Sequence, residues 1–270
     1  TLLALCAGLT AIRMAVEAKL EWALAAIVFA ALLDGIDGRV ARMLKGTSRF
    51  GAELDSLADF VNFGVAPALI LYFWGLQDLG HAGWIAALVF AICCGLRLAR
   101  FNVMIEDPNR PSWAGNFFVG VPAPAGAIVV LLPLYLFFIG MPKSIIITWI
   151  TLVYTLGVAF LMVSRMPVLS GKQFGSRVAP DKLVPIFLVV ILLIALLIAY
   201  PWPVLTAGTL AYLASLPFGL RSYRRHERGS SKAQPTPSAV TPEQAGTTAP
   251  ASPNVNASEQ PDGERPARLN

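Results

Sequence analysis

Charge is scarce in this chain: Asp, Glu, Lys and Arg make up 14% of its 270 residues, against 56% of hydrophobic types. Soluble domains carry about a quarter of their residues as charges, so an ordinary water-soluble fold is excluded. Cysteine is sparse as well. The three present, Cys6, Cys93 and Cys94, all stand inside apolar runs, where they read as small core residues and make neither a disulfide framework nor a zinc site. A basic surface for nucleic acid is also missing. The net charge is +5, but the cations stand at the ends of apolar runs and in short loops, so no nucleic-acid partner is expected.

What the chain has in quantity is long apolar sequence, with a mean hydropathy of +0.64. A helix needs roughly 17–25 apolar residues to cross about 30 Å of hydrocarbon. Runs near that length lie at about 1–16, 21–42, 51–76, 83–101, 121–140, 145–164, 183–200 and 202–220. The pattern predicts an all-α, polytopic membrane helical bundle with about eight transmembrane helices. The membrane domain is expected over 1–220, followed at 221–270 by a basic and then disordered tail of Ser, Thr, Pro, Ala and Gln with almost no large apolar residue. The first run opens on Thr1 without an initiator Met. Residues ahead of it are therefore expected, and no cleaved signal is assigned.

With eight spans, the loops after the second, fourth and sixth share a side with the C-terminal tail. That side collects Lys45, Arg49, Arg110, Lys172, Arg177, Lys182, Arg221, Arg224, Arg225 and Arg228, while the opposite loops hold little more than Lys19 and Lys143. The positive-inside rule then places both termini in the cytoplasm. The Arg-rich segment from 221 suits a stop-transfer flank or contact with anionic lipid headgroups.

Acidic residues concentrate in one place: Asp34, Asp37, Asp55 and Asp59. The first two are three apart and the last two four apart, so each pair shares a helix face. A short connection makes their helices antiparallel neighbours, with all four carboxylates at the cytoplasmic end. Ionisable groups at membrane depth cost about 2.5–3.5 kcal/mol each on insertion scales, so a cluster without a cation would be a liability. An oxygen-rich site suits Mg²⁺ or Mn²⁺, and this ligand number accommodates two ions. Helix capping, pairing with Arg39 and Arg42, or lining a pore would explain one such Asp better than four. Gly35, Gly38, Ala41 and Gly51, interleaved with them, read either as close helix packing or as room for a ligand.

The stretch Asp37-Gly38-x2-Ala41-Arg42-x8-Gly51-x3-Asp55-x3-Asp59, with Asp34 three residues ahead, resembles the signature of the CDP-alcohol phosphatidyltransferase family at every fixed position. The resemblance implies that an alcohol attacks a CDP-linked phosphoryl group in a membrane-embedded helical core and releases CMP. It implies Asp34, Asp37 and Asp55 as metal ligands, and Asp59 as a ligand or as the general base for the alcohol proton. Gly38, Ala41 and Gly51 would let the CDP-lipid approach the helix backbones, and Arg42 would contact phosphate. Homodimerisation is implied in the same way.

The acceptor must be read elsewhere. Arg97 and Arg100, three apart and followed by Asn102, could bind an anion such as a carboxylate or phosphate, or could simply anchor the helix end. The segments Arg97–Asn102, Gly120–Gly126, Ser56–Pro67 and Ser164–Lys172 look like the phosphatidylserine synthase branch of the family. That likeness extends through about residue 220 and implies CDP-diacylglycerol and L-serine as substrates. Arg165 and Lys172 are candidate contacts to the donor headgroup or a lipid phosphate. The competing readings are another acceptor (glycerol 3-phosphate, inositol phosphate or choline), a divalent-cation transporter using the acidic cluster as a transit site, and a noncatalytic lipid-binding protein.

Overall fold

The computed structural model describes residues 1–44, 49–106, 117–164, 167–169 and 183–231, with side chains described outside 40–49, 105–119, 165–184, 186 and 217 onward. They are almost wholly helical, in a compact unit spanning Thr1–Gly229. The tail beyond 231 and the loop cations Lys45, Arg110, Arg165, Lys172, Arg177 and Lys182 lie outside the described residues.

Helix α1 (Leu2–Val16) turns sharply into α2 (Leu20–Leu44) and packs along it. Ala18 takes a positive φ of 59° in that turn, and Glu17 pairs with Arg13 and Lys19, each at 2.8 Å. The third apolar run is a continuous helical rod with an irregular middle: α3 (Arg49–Asp59), a π-helical segment (Phe60–Val65) and α4 (Ala66–Trp74). Proline supplies the cause. Pro67 lacks the N–H that an α-helix would direct to the carbonyl four residues back, and its ring crowds that carbonyl, so the preceding turn widens. The Ala66 N–H accordingly donates to Val61 O, five residues back.

Helix α5 (His81–Glu106) returns to the acidic end and packs against α8 (Ile145–Val163). Between them the expected helix over 121–140 is two helices, α6 (Ala123–Val130) and α7 (Leu132–Ile139), broken at Leu131, with Pro133 in the first turn of α7. Carbonyls freed by such a break must find donors inside an apolar core. Tyr135 and Tyr154 provide them, donating to Ile128 O at 3.0 Å and Val129 O at 2.7 Å.

The all-α expectation needs one small amendment. Strand β1 (Phe117–Val119) pairs antiparallel with β2 (Pro167–Leu169), Phe118 opposite Val168, forming a ribbon between the loops that leave α5 and α8. Gly120, just after β1, has φ +82°, and a Cβ there would lie 2.6 Å from Met162 O. Only glycine fits both that backbone and that approach. Helices α9 (Leu183–Ala199) and α10 (Pro201–Ser231) complete the described chain.

Phe63, Ile70, Leu71, Leu76, Phe90, Leu131, Leu134, Tyr135 and Met162 are fully buried and form the centre of the core. The outside is also apolar: Leu188, Ile191 and Leu192 on α9, and Trp149, Val153 and Phe160 on α8, are all exposed. Such a surface suits lipid, not water. Among the described residues, three helical runs are long and apolar enough to cross a bilayer, Phe50–Trp74, His81–Met104 and Ile145–Val163, and Leu2–Val16, Ala123–Ile139 and Phe187–Ala199 are shorter apolar helices. The chain is therefore an all-α integral membrane protein in its bulk.

Candidate active site

The acidic end is assembled by α2 and by the rod that begins with α3. Asp34 lies on α2, Asp55 and Asp59 on α3, and one carboxylate oxygen from each can be chosen so that all three lie within 4.8 Å of one another. All three are half-buried. Such crowding of like charges is unfavourable without a cation among them.

Asp37 is close but differently held. Its Oδ2 accepts from the Thr1 hydroxyl at 3.0 Å, and the same hydroxyl also reaches Asp55 Oδ1 at 3.3 Å. Its Oδ1 is buried with no partner among the described residues. The donor set is thus oxygen-only and anionic, and it leaves one buried acceptor, Asp37 Oδ1, without a partner among the described residues. These residues fit a hard divalent cation.

Access comes from the small residues. A Cβ built on Gly35 or Gly38 would meet nothing within 4 Å, so neither glycine serves close packing against a neighbouring helix. Gly51 lies in the first turns of α3. Ala41 and Arg42 belong to the last turns of α2, but their side chains lie outside the described residues.

The three residues expected to bind the acceptor do separate jobs. Arg100 donates to the carbonyls of Val163 at 3.0 Å and Ser164 at 3.3 Å, and so satisfies the C-terminal end of α8. Asn102 donates to Ser56 Oγ at 2.8 Å, which ties α5 to α3 beside Asp55. Arg97 has different neighbours. It is 8% exposed, lies over the Phe101 ring at 5.6 Å, and sits within electrostatic reach of Asp59 and Tyr212.

Two features near the site escaped the sequence pattern. The π segment starts at the residue after Asp59, and Pro67 inside an apolar run was the signal for it. Asn62, in that segment, is 1% exposed and packs on Gly8 of α1 so closely that a Cβ on the glycine would lie 2.0 Å from its Oδ1 and 3.2 Å from its Cα. A lone Asn within a long apolar run was the other signal.

Comparison with known proteins agrees with this geometry. The family model for CDP-alcohol phosphatidyltransferase matches residues 1–157, and a second, CDP-alcohol phosphatidyltransferase 2, matches residues 183–217. The CDP-diacylglycerol–serine O-phosphatidyltransferase of Mycobacterium leprae is 42% identical over 228 residues, 83% of this chain and 74% of the relative. Proteins of the same name from Helicobacter pylori and Bacillus subtilis are 40% and 38% identical, over 60% and 59% of this chain and 66% and 81% of theirs. With both the acidic site and the greater part of the membrane domain inside these matches, the chain belongs to the CDP-alcohol phosphatidyltransferase family.

Proposed function

We propose that this protein transfers the phosphatidyl group of CDP-diacylglycerol to the hydroxyl of L-serine, giving phosphatidylserine and CMP. The observation that carries the reading is the convergence of Asp34, Asp55 and Asp59 in a chain 42% identical, over 83% of its length, to a serine transferase. The serine oxygen forms a bond to the phosphorus that bears diacylglycerol. The bond from that phosphorus to the CMP phosphate oxygen breaks, and the hydroxyl proton passes to Asp59.

Asp34, Asp37, Asp55 and Asp59 would hold divalent metal, Mg²⁺ or Mn²⁺. Four carboxylates would accommodate two such ions, and Asp34, Asp55 and Asp59 are close enough to share one. Bound metal supplies charge neutralisation at the pyrophosphate and at the departing CMP. The room beside Gly35 and Gly38 would admit the nucleotide, with Ala41, Arg42 and Gly51 along its path. Arg97 offsets part of the carboxylate charge and is available to the acceptor.

In the same reading the membrane domain covers 1–220 with eight spans, the acidic end and both termini face the cytoplasm, and the protein works as a homodimer. The concentration of cations at loops on the acidic side supports that orientation. The test is incorporation of labelled serine into chloroform-soluble lipid by purified protein supplied with CDP-diacylglycerol. Label entering lipid only from glycerol 3-phosphate or inositol phosphate would reassign the acceptor. Metal flux in liposomes with no CMP release would replace the enzyme by a cation transporter.

A further inference from the structure

Helices α8 and α10 both bury threonines and treat them differently. On α8, Thr148, Thr151 and Thr155 donate to the carbonyls four residues back, at 3.1, 2.9 and 2.8 Å. On α10, Thr206 and Thr209 are buried too, at 9% and 2% exposed, yet their hydroxyls have no partner among the described residues, and neither has the Tyr212 phenol. Steps of three put the three residues on one side of α10. Hydroxyls without partners in a membrane interior are unfavourable where the local backbone could have taken them.

Arg97 of α5 lies within electrostatic reach of Tyr212, at one end of this face. Its Nε is buried without a partner among the described residues, and Tyr212 and Asp59 both lie within electrostatic reach of it. A guanidinium inside a membrane span and a phenol within its electrostatic reach, each with a buried donor that has no partner among the described residues, offer the recognition chemistry of a small anion. Arg100 and Asn102 are bonded elsewhere in the fold, so the second wall of such a pocket has to come from another helix.

We infer that Arg97 of α5 and Tyr212 of α10, with Thr209 one turn away on the same face, form the pocket that holds the carboxylate of the amino-acid acceptor beside Asp59. This assignment rests on serine being the acceptor. The pocket places the substrate's anionic end on Arg97 and Tyr212 and leaves its hydroxyl towards the carboxylate cluster. Tyr212 becomes a specificity-determining residue in a helix that the aspartate signature does not reach.

The experiment compares wild type with Tyr212→Phe, full-length and in detergent micelles, varying serine and CDP-diacylglycerol separately. CMP release by wild type that does not depend on serine would remove the acceptor reading itself, before the variant is considered. Given serine-dependent release, Tyr212→Phe is expected to raise KM for serine about tenfold, the value of one hydrogen bond to a charged group, with KM for CDP-diacylglycerol within about twofold of wild type. Discrimination between serine and 2-amino-1,3-propanediol, which lacks the carboxylate, should shrink by a similar factor. A purely structural role predicts an unchanged or raised melting temperature, since a partnerless hydroxyl is removed, and no change in either KM. That result would overturn the pocket, as would a rise in KM confined to CDP-diacylglycerol, which would assign the anion to the donor phosphate.

Discussion

Asp59 and Asp37 show how residues of one type diverge in role through their surroundings. Asp59 shares its space with Asp34 and Asp55 and has Arg97 within electrostatic reach, whereas Asp37 is turned to Thr1. If Asp59 takes the serine proton, Asp59→Asn should keep most CDP-diacylglycerol affinity while kcat falls by about 10²–10⁴-fold. Near-normal turnover in that variant would reject the base. The pairing of the four acids was legible from their spacing of three and four, because helical geometry alone puts such residues on one face. What separates Asp37 from the other three was not legible, since it depends on where the start of α1 meets α2. Likewise Arg97, Arg100 and Asn102 read as a set, because adjacent positions at a helix end look alike until neighbouring helices take up their directions. Arg100 met the end of α8, Asn102 met Ser56, and Arg97 came within electrostatic reach of Asp59.

Among the elements, the π segment matters because it joins the acid-bearing α3 to the buried α4 and sets how one is rotated relative to the other. Its contact with α1 runs through Gly8 and Asn62. Gly8→Ala puts a methyl where Asn62 now sits and should push the segment, and with it Asp59, out of place. Overpacking of this kind costs about 1–3 kcal/mol, and a shift of about 1 Å at a reacting group can cost about 10²-fold in rate. Activity should therefore fall at least about tenfold, with a higher Mn²⁺ concentration needed for half-maximal rate. The Gly8→Ala, Asn62→Ala pair, which removes the obstructing side chain, should recover most of the loss. No recovery, or a loss of stability without a change in metal requirement, would make the contact simple packing. The helices themselves were readable as apolar runs, and their breaks follow from Pro67 and Pro133. The β1–β2 ribbon was hidden, because a two-strand pairing between distant loops leaves no periodic signal in either.

At the scale of the whole molecule, α1, α2, the α3–α4 rod, α5, the α6–α7 pair and α8 run alternately towards and away from the acidic end. The ends of α2, α5 and α8 that carry Asp34, Arg97 and Ser164 gather at one side, with the start of α3. On the other, the turn after α4 and the loop after α7 are joined by Lys143 and Asp78 at 2.8 Å. Single cysteines placed at Lys45 and Lys172 in a background lacking Cys6, Cys93 and Cys94 should both label from the cytoplasm, and cysteines at Lys19 and Lys143 from the other face. Labelling of positions 45 and 172 from opposite faces would overturn the eight-span arrangement. Composition alone made the membrane class plain, since so little charge leaves no other solvent for the chain. The exposed apolar surface of α9 agrees with it.

Phosphatidyl transfer by this protein is proposed to depend on metal held by the carboxylate cluster. Its most direct measurement is CMP release from CDP-diacylglycerol and L-serine by protein stripped with EDTA and then titrated with Mg²⁺ or Mn²⁺. Release should drop to background on stripping and return with either ion, and Asp55→Asn should stay at background at concentrations that restore wild type. Full CMP release in the presence of chelator, or an Asp55→Asn protein as active as wild type, would contradict it.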